Sequence, residues 1–328
     1  MTFSAFWIEK GDDGFTRSIV ERSEDDLPDG DVLIDVHFSS LNYKDGLSAT
    51  GNPGVTRKFP HTPGIDAAGV VVNSNVGEFS EGDEVVAFGF DLGMNTPGGF
   101  GQRICVPSGW VAAKPEGLTL RECMLLGTAG ITAALCVDKL EAAGMTPDSG
   151  PVLVTGATGG VGSVAVALLS KLGYEVAAVT GKAKRHQFLK DLGVHTILSR
   201  EDARSGSERP LLAETYGGVV DTVGGEILFN AVKSLRYGCS LAACGLVDSP
   251  AISATVLPFI LRHVNLLGVD SVELPLEQKK AIWYKLGGDW KMDLSKLEEK
   301  LALDTLSDAI DRILAGQMVG RGVLDLNA

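Results

Sequence analysis

Seven residues, Gly156-Ala157-Thr158-Gly159-Gly160-Val161-Gly162, lead from the apolar segment Val152–Thr155 into an uninterrupted helical stretch, Val161–Leu172. Glycines in a strand-to-helix turn let backbone N–H groups approach a pyrophosphate, which then sits on the positive end of the helix. The spacing is Gly-x-x-Gly-x-x-Gly, a departure from Gly-x-Gly-x-x-Gly. Alone, such a turn serves tight helix–strand packing equally well; between a strand and a helix it points to a dinucleotide site.

The next apolar segment, Glu175–Thr180, indicates which dinucleotide. An NAD site presents an acidic residue to the ribose 2′-hydroxyl about 20 residues past the glycine turn. Here the segment ends in Thr180-Gly181-Lys182-Ala183-Lys184-Arg185, without a carboxylate. The Thr180 hydroxyl, a backbone N–H and the Lys182 ammonium can hold a 2′-phosphate, which favours NADPH. Cations at a helix start oppose its dipole unless an anion joins them. Arg200 stands either as a second cation near the adenosine or as a surface arginine. The ends of later strands, Asp221-Thr222-Val223-Gly224, Cys244-Gly245-Leu246 and Val269-Asp270-Ser271, face the same ligand if the sheet is doubly wound, with Asp221 orienting loops.

Other chemistries lack their residues. There is no His-Glu-x-x-His, no cysteine quartet and no Gly-x-Ser-x-Gly, and His37, His61, His186, His195 and His263 share no spacing. No metal site is expected. Cys105, Cys123, Cys136, Cys239 and Cys244 are odd in number and form no Cys-x-x-Cys, which fits a reducing, cytoplasmic setting.

The elements that must position these residues fall into two textures. With 328 residues and 45% hydrophobic residues, the chain can bury a core and form two domains. A net charge of −13 opposes a nucleic-acid or anionic membrane surface. No apolar run approaches the ~18 residues of a membrane span, and Met1–Lys10 lacks the pattern of a secretion signal. From Asp31 to Val111 short β-rich segments broken by Gly, Pro and Asn predict an all-β barrel or sandwich. Beyond Gly127, six brief apolar runs (Val152–Thr155, Glu175–Thr180, Thr196–Leu198, Val219–Val223, Ser240–Cys244 and Asn265–Val269) are interspersed with helical stretches and predict a parallel sheet. A terminal strand, Gly322–Leu326, needs a partner and is expected to return to the β half. The expected domains are 1–123 together with 299–328, and 124–298.

Ser40-Leu41-Asn42-Tyr43-Lys44-Asp45, Pro63-Gly64-Ile65-Asp66-Ala67-Ala68-Gly69, Glu81-Gly82-Asp83-Glu84-Val85 and Gly127-Thr128-Ala129-Gly130, followed by the glycine turn, resemble the medium-chain dehydrogenase/reductase superfamily. Within it, Ala243-Cys244-Gly245-Leu246 and Pro258-Phe259-Ile260-Leu261-Arg262 with Gly268-Val269-Asp270-Ser271 resemble the acrylyl-CoA reductase group of quinone-oxidoreductase-like enzymes. The resemblance implies a GroES-like β-barrel catalytic domain and a Rossmann doubly wound parallel sheet domain. Zinc alcohol dehydrogenases of the superfamily carry Gly-His-Glu where this chain has Gly64-Ile65-Asp66, and a catalytic cysteine near Asn42-Tyr43, so the resemblance implies a zinc-free NADPH-dependent reductase of a short enoyl-CoA, acrylyl-CoA to propionyl-CoA. It also implies cofactor contacts at Tyr43, Thr158, Gly159, Gly160, Val161, Thr180, Gly181, Lys182, Arg200, Leu246, Ile260 and Ser271. The cofactor is expected in the interdomain cleft.

Hydride addition to an alkene conjugated with a thioester puts negative charge on the carbonyl oxygen, which needs a donor, and the α-carbon then needs a proton. Tyr43 is the candidate for either task, or it packs against the cofactor. Asn42 is a possible partner for cofactor or substrate; Lys44 and Asp45 read as a local ion pair. For CoA phosphates, Arg57, Lys58 and Arg321 are the candidate cations, each also readable as solvated surface charge. The apolar run Asn265–Ser271 would leave an exposed sheet edge, so a homodimer is expected through it. The rival activities are reduction of a quinone or free enone and, outside enzymes, an NADPH-binding redox sensor or structural protein.

Overall fold

Residues 1–327 are described by a computed structural model. The first strands, Thr2–Gly11 (β1) and Gly14–Ser23 (β2), form an antiparallel hairpin turning on Asp12-Asp13. Alternating burial in Val32–Leu41 (β3) then turns every second residue inward, and β3 pairs antiparallel with Asp66–Ser74 (β4). Glu84–Phe88 (β5) and Val111–Ala113 (β7) extend the sheet beyond β4, while Arg103–Val106 (β6) lies on the other side of β3. Ile34, Val36, Val71, Val85, Phe100 and Ile104 fill the core beneath.

The second group of strands is short and largely apolar; its central strands are buried almost throughout and its two edge strands are partly exposed. Val152–Val154 (β8), Val176–Val179 (β9), Val194–Leu198 (β10), Gly218–Asp221 (β11), Ser240–Ala243 (β12) and Asn265–Gly268 (β13) form one parallel sheet in the order β10-β9-β8-β11-β12-β13. This is the doubly wound order, reversing between β8 and β11, and ligands in such sheets lie beyond the carboxyl ends of the strands at that reversal. The six apolar runs read from the sequence are these six strands.

The tail adds Glu298–Leu301 (β14) and Arg321–Asp325 (β15); β15 lies between β14 and β3 and pairs antiparallel with β3. The chain divides into two compact units, residues 1–128 with those from 271 onward, and residues 129–270. Residues 271–298, assigned from the sequence to the nucleotide-binding half, therefore group with the β unit. The reason is apolar: Trp283, on the helix Leu276–Gly287, is buried edge-on against Phe88 at 5.6 Å.

One helix, Leu120–Ala142, is long and apolar enough to cross a membrane, which corrects the sequence reading; 83% of its most apolar window is buried inside the protein. Gly127 interrupts it with φ 52° and ψ −157°. A Cβ there would stand 2.5 Å from an Asp66 oxygen and 2.6 Å from the Ser40 hydroxyl, so only glycine fits.

Candidate active site

In the parallel-sheet unit, β8 runs through Thr155 into the glycine turn and then the helix Gly160–Lys171, capped by Gly159. Gly156 has φ +60°, and a Cβ on it would lie 2.3 Å from the Thr222 hydroxyl. Gly162 brings the helix onto the turn: its Cβ would meet the Gly156 carbonyl at 2.4 Å. The amides of Gly160, Val161 and Gly162 have no helical acceptor four residues back, so they point out of the helix start as donors. Asp221 braces the turn by accepting from the Thr155 hydroxyl (2.7 Å) and the Gly224 N–H (2.8 Å). It orients loops, and burial pushes its carboxyl above the usual range.

Beside this turn the Thr158 and Thr180 hydroxyls lie 3.3 Å apart, and the Lys182 N–H donates to the Thr180 hydroxyl at 3.1 Å. Arg200, first residue of the short helix Arg200–Arg204, packs so closely over Gly181 that a Cβ there would be 2.7 Å from its Nε. The structure thus brings Thr158, Thr180, Gly181, Lys182 and Arg200 together. Partial burial, then Arg185 and Arg200, holds the Lys182 ammonium below the usual lysine range. Three like charges at one spot fit an anion such as a 2′-phosphate. A pyrophosphate likewise fits the glycine cradle and the helix start.

Leu246 follows β12, and Ile260 lies on the helix Leu257–Arg262; both are well exposed, at 62% and 69%. Ser271 is buried and belongs to the other unit.

In the β unit, Tyr43 opens the helix Tyr43–Ala49 and is 41% exposed. The fully buried Asp45 caps this helix, accepting from the N–H of Asn42 (2.7 Å), Ile65 (2.9 Å) and Gly64 (3.1 Å). Burial pushes its carboxyl up to about 7, assisted by the charge of Asp66 and opposed by the backbone donors. The expected Lys44–Asp45 ion pair gives way to this inward turn toward unpaired amides.

Asp66, also fully buried, accepts from the Ser40 hydroxyl (2.5 Å), the Asn42 amide (2.8 Å), the Thr128 hydroxyl (2.6 Å) and the Thr128 N–H (2.9 Å). Arg321 is 2% exposed; its Nε donates to the Leu125 carbonyl and its Nη1 to the Asn42 side-chain oxygen, both at 3.1 Å. Its Nη2 lies 4.0 Å from Asp66 and has no hydrogen-bond partner. Arg321 is therefore no surface cation for a CoA phosphate. It sits on β15 between two glycine-lightened neighbours, Gly320 and Gly322, with its side chain turned into the unit. Asn42 is likewise committed to Asp66, Ser40 and Arg321 rather than held ready for substrate. Arg57 and Lys58 do remain exposed.

These residues do not suit a catalytic zinc. The oxygens of Asp45 and Asp66 are already occupied by donors, and Arg321 supplies the nearby positive charge. Among the described residues no three His, Cys, Asp or Glu side chains gather as a metal cluster. Sequence reasoning missed the Asp66 cluster; a charged residue inside the glycine- and valine-rich terminal strand was the available signal.

Residues 28–116 match the alcohol dehydrogenase GroES-like domain, and residues 160–283 match the zinc-binding dehydrogenase family. The acrylyl-CoA reductase AcuI of Ruegeria pomeroyi is 46% identical, over 99% of this chain and 100% of its own length. The chain belongs to the medium-chain dehydrogenase/reductase superfamily. Two solved structures of that superfamily share its fold almost throughout. The yhdH oxidoreductase from Salmonella enterica, in complex with NADP, has a TM-score of 0.95 at 44% identity, covering 98% of this chain and 99% of its own. The Bacillus subtilis protein yhfP, with NAD bound, has a TM-score of 0.97 at 42% identity, covering 99% of each chain. As a superfamily member of the AcuI and yhdH kind, the chain is an oxidoreductase with a GroES-like unit and a Rossmann-like sheet.

Proposed function

We propose that this oxidoreductase reduces the C=C bond of a short enoyl-CoA, acrylyl-CoA to propionyl-CoA, with NADPH as donor and without zinc. The full-length similarity to AcuI carries the substrate assignment. The cations Lys182, Arg185 and Arg200, gathered beside Thr180, favour a phosphorylated adenosine over the NAD seen in yhfP.

The chain's own groups divide the work. The glycine turn and the amides of Gly160 and Val161 hold the pyrophosphate, and Thr158 flanks it. Thr180, Gly181, Lys182 and Arg200 take the 2′-phosphate. Leu246, Ile260 and Ser271 are the further cofactor contacts of this reading. NADPH, when bound, supplies a hydride to the β-carbon. The Tyr43 hydroxyl then donates to the thioester oxygen as it gains charge, or passes a proton to the α-carbon. Asp45 holds the helix start that presents Tyr43. The exposed edge strand β13, with Leu266 open to solvent, supports a homodimer paired along that edge, and the five free cysteines support a cytoplasmic setting.

NADPH oxidation against a panel of short enoyl-CoAs and a simple quinone tests this reading. A kcat/KM for acrylyl-CoA well above that for the quinone is expected. Equal values would overturn the CoA assignment in favour of a general enone or quinone reductase. Light scattering that finds a monomer would remove the proposed dimer.

A further inference from the structure

The helix Leu276–Gly287 carries a lysine, Lys279, with no exposed surface. Its ammonium lies 3.5 Å from the ring centre of Phe90 and 5.1 Å from that of Phe88. It donates to the Val272 carbonyl at 2.7 Å, and the same oxygen accepts from the Phe90 N–H at 3.1 Å. Aromatic faces and a carbonyl thus replace the water that an ammonium loses on burial.

The turn around the ammonium is shaped to admit it. Gly89 has φ +74°, and a Cβ there would stand 2.6 Å from Lys279 Nζ. Phe90 has φ 52°, rare for a side-chain-bearing residue, so the surroundings must hold it there. It stacks on Trp110 with ring centres 5.8 Å apart and an interplanar angle of 14°. The Val272 carbonyl is therefore clamped by two donors, one on a helix and one on the turn after β5, one residue after Ser271.

We propose that Lys279 is a positioning residue for the nucleotide: it fixes Val272 and, through the backbone, sets where Ser271 meets the cofactor. This rests on the reading of Ser271 as a cofactor contact.

The variant K279M keeps the apolar stem and removes the donor, whereas K279R keeps a cation that can stack and donate. Amide exchange at Phe90 in the cofactor-free protein should quicken about tenfold in K279M and recover in K279R. The Kd for NADPH, followed by tryptophan fluorescence, should rise about tenfold in K279M and stay within about threefold of wild type in K279R. In an S271A background, adding K279M should change Kd less than twofold, because both act through one contact. A folded K279M that binds NADPH as wild type does would overturn the inference, as would an undiminished K279M effect in S271A. Failure of the wild-type protein to bind NADPH would overturn the cofactor reading itself, and this inference with it.

Discussion

Arg321 donates to the side-chain oxygen of Asn42 at 3.1 Å, although 279 residues separate them in sequence. Asn42 passes the link on, giving its amide N–H to Asp66 at 2.8 Å, so one neutral side chain joins a buried cation to a buried anion. Burial lowers the Arg321 pKa, and Asp66 and Asp45 raise it again, so the cation depends on the carboxylates beside it. Arg321→Met should cost about 3–5 kcal/mol of unfolding free energy, as removal of one partner of a buried pair does. Chemical denaturation measures it; a loss below about 1 kcal/mol would mean that Ser40, Asn42 and Thr128 alone satisfy Asp66.

Lys182→Ala should weaken NADPH binding by roughly 10- to 100-fold, the worth of one charge-assisted hydrogen bond, while NADH binding changes little. Parallel titrations with the two nucleotides decide it. Equal losses would reject contact with the extra phosphate.

Tyr43→Phe removes a hydroxyl and leaves the ring. If that hydroxyl meets the developing oxyanion, kcat should fall by about 10²-fold, in the range of other lost oxyanion donors. A raised KM with unchanged kcat would instead assign Tyr43 to packing.

Asp45 makes stability depend on pH in a direction opposite to that of a salt-bridged carboxylate. Its folded pKa is raised from 3.8 to about 7, so between those values the folded chain holds a proton that the unfolded chain has released. Stability should fall as pH rises through that window, by up to roughly 4 kcal/mol, and level off above it. Urea unfolding at pH 5 and pH 8 reads the difference. Asp45→Asn, which cannot ionise, should remove that pH-dependent decline; a decline unchanged in the variant would place its source elsewhere.

The six parallel strands and the glycine turn were legible because both are local: short apolar runs, and glycines where backbone must approach backbone. That Thr180 and Lys182 lie side by side was legible for the same reason, because they stand two residues apart on one turn. Arg321 and Asp45 were misread because burial is a long-range property. The glycines and valine around Arg321 are a local sign of burial, but they do not say that β3 and the Asn42 loop will close over it, and the carboxylate of Asp45 serves amides at Gly64 and Ile65. Lys279 escaped notice entirely, since Phe88 and Phe90, the rings that cover it, lie far from its helix in sequence.

The place of β15 between β14 and β3 also sets a schedule for biogenesis. At ~5–20 residues per second on the ribosome, residues 38–41 wait tens of seconds for 322–325 to be made. Until then Asp66 has no arginine near it and β3 shows a bare edge, while residues 129–270 can already fold around their own sheet. A nascent chain arrested shortly before Arg321 should therefore carry one finished unit and one that proteases can still cut.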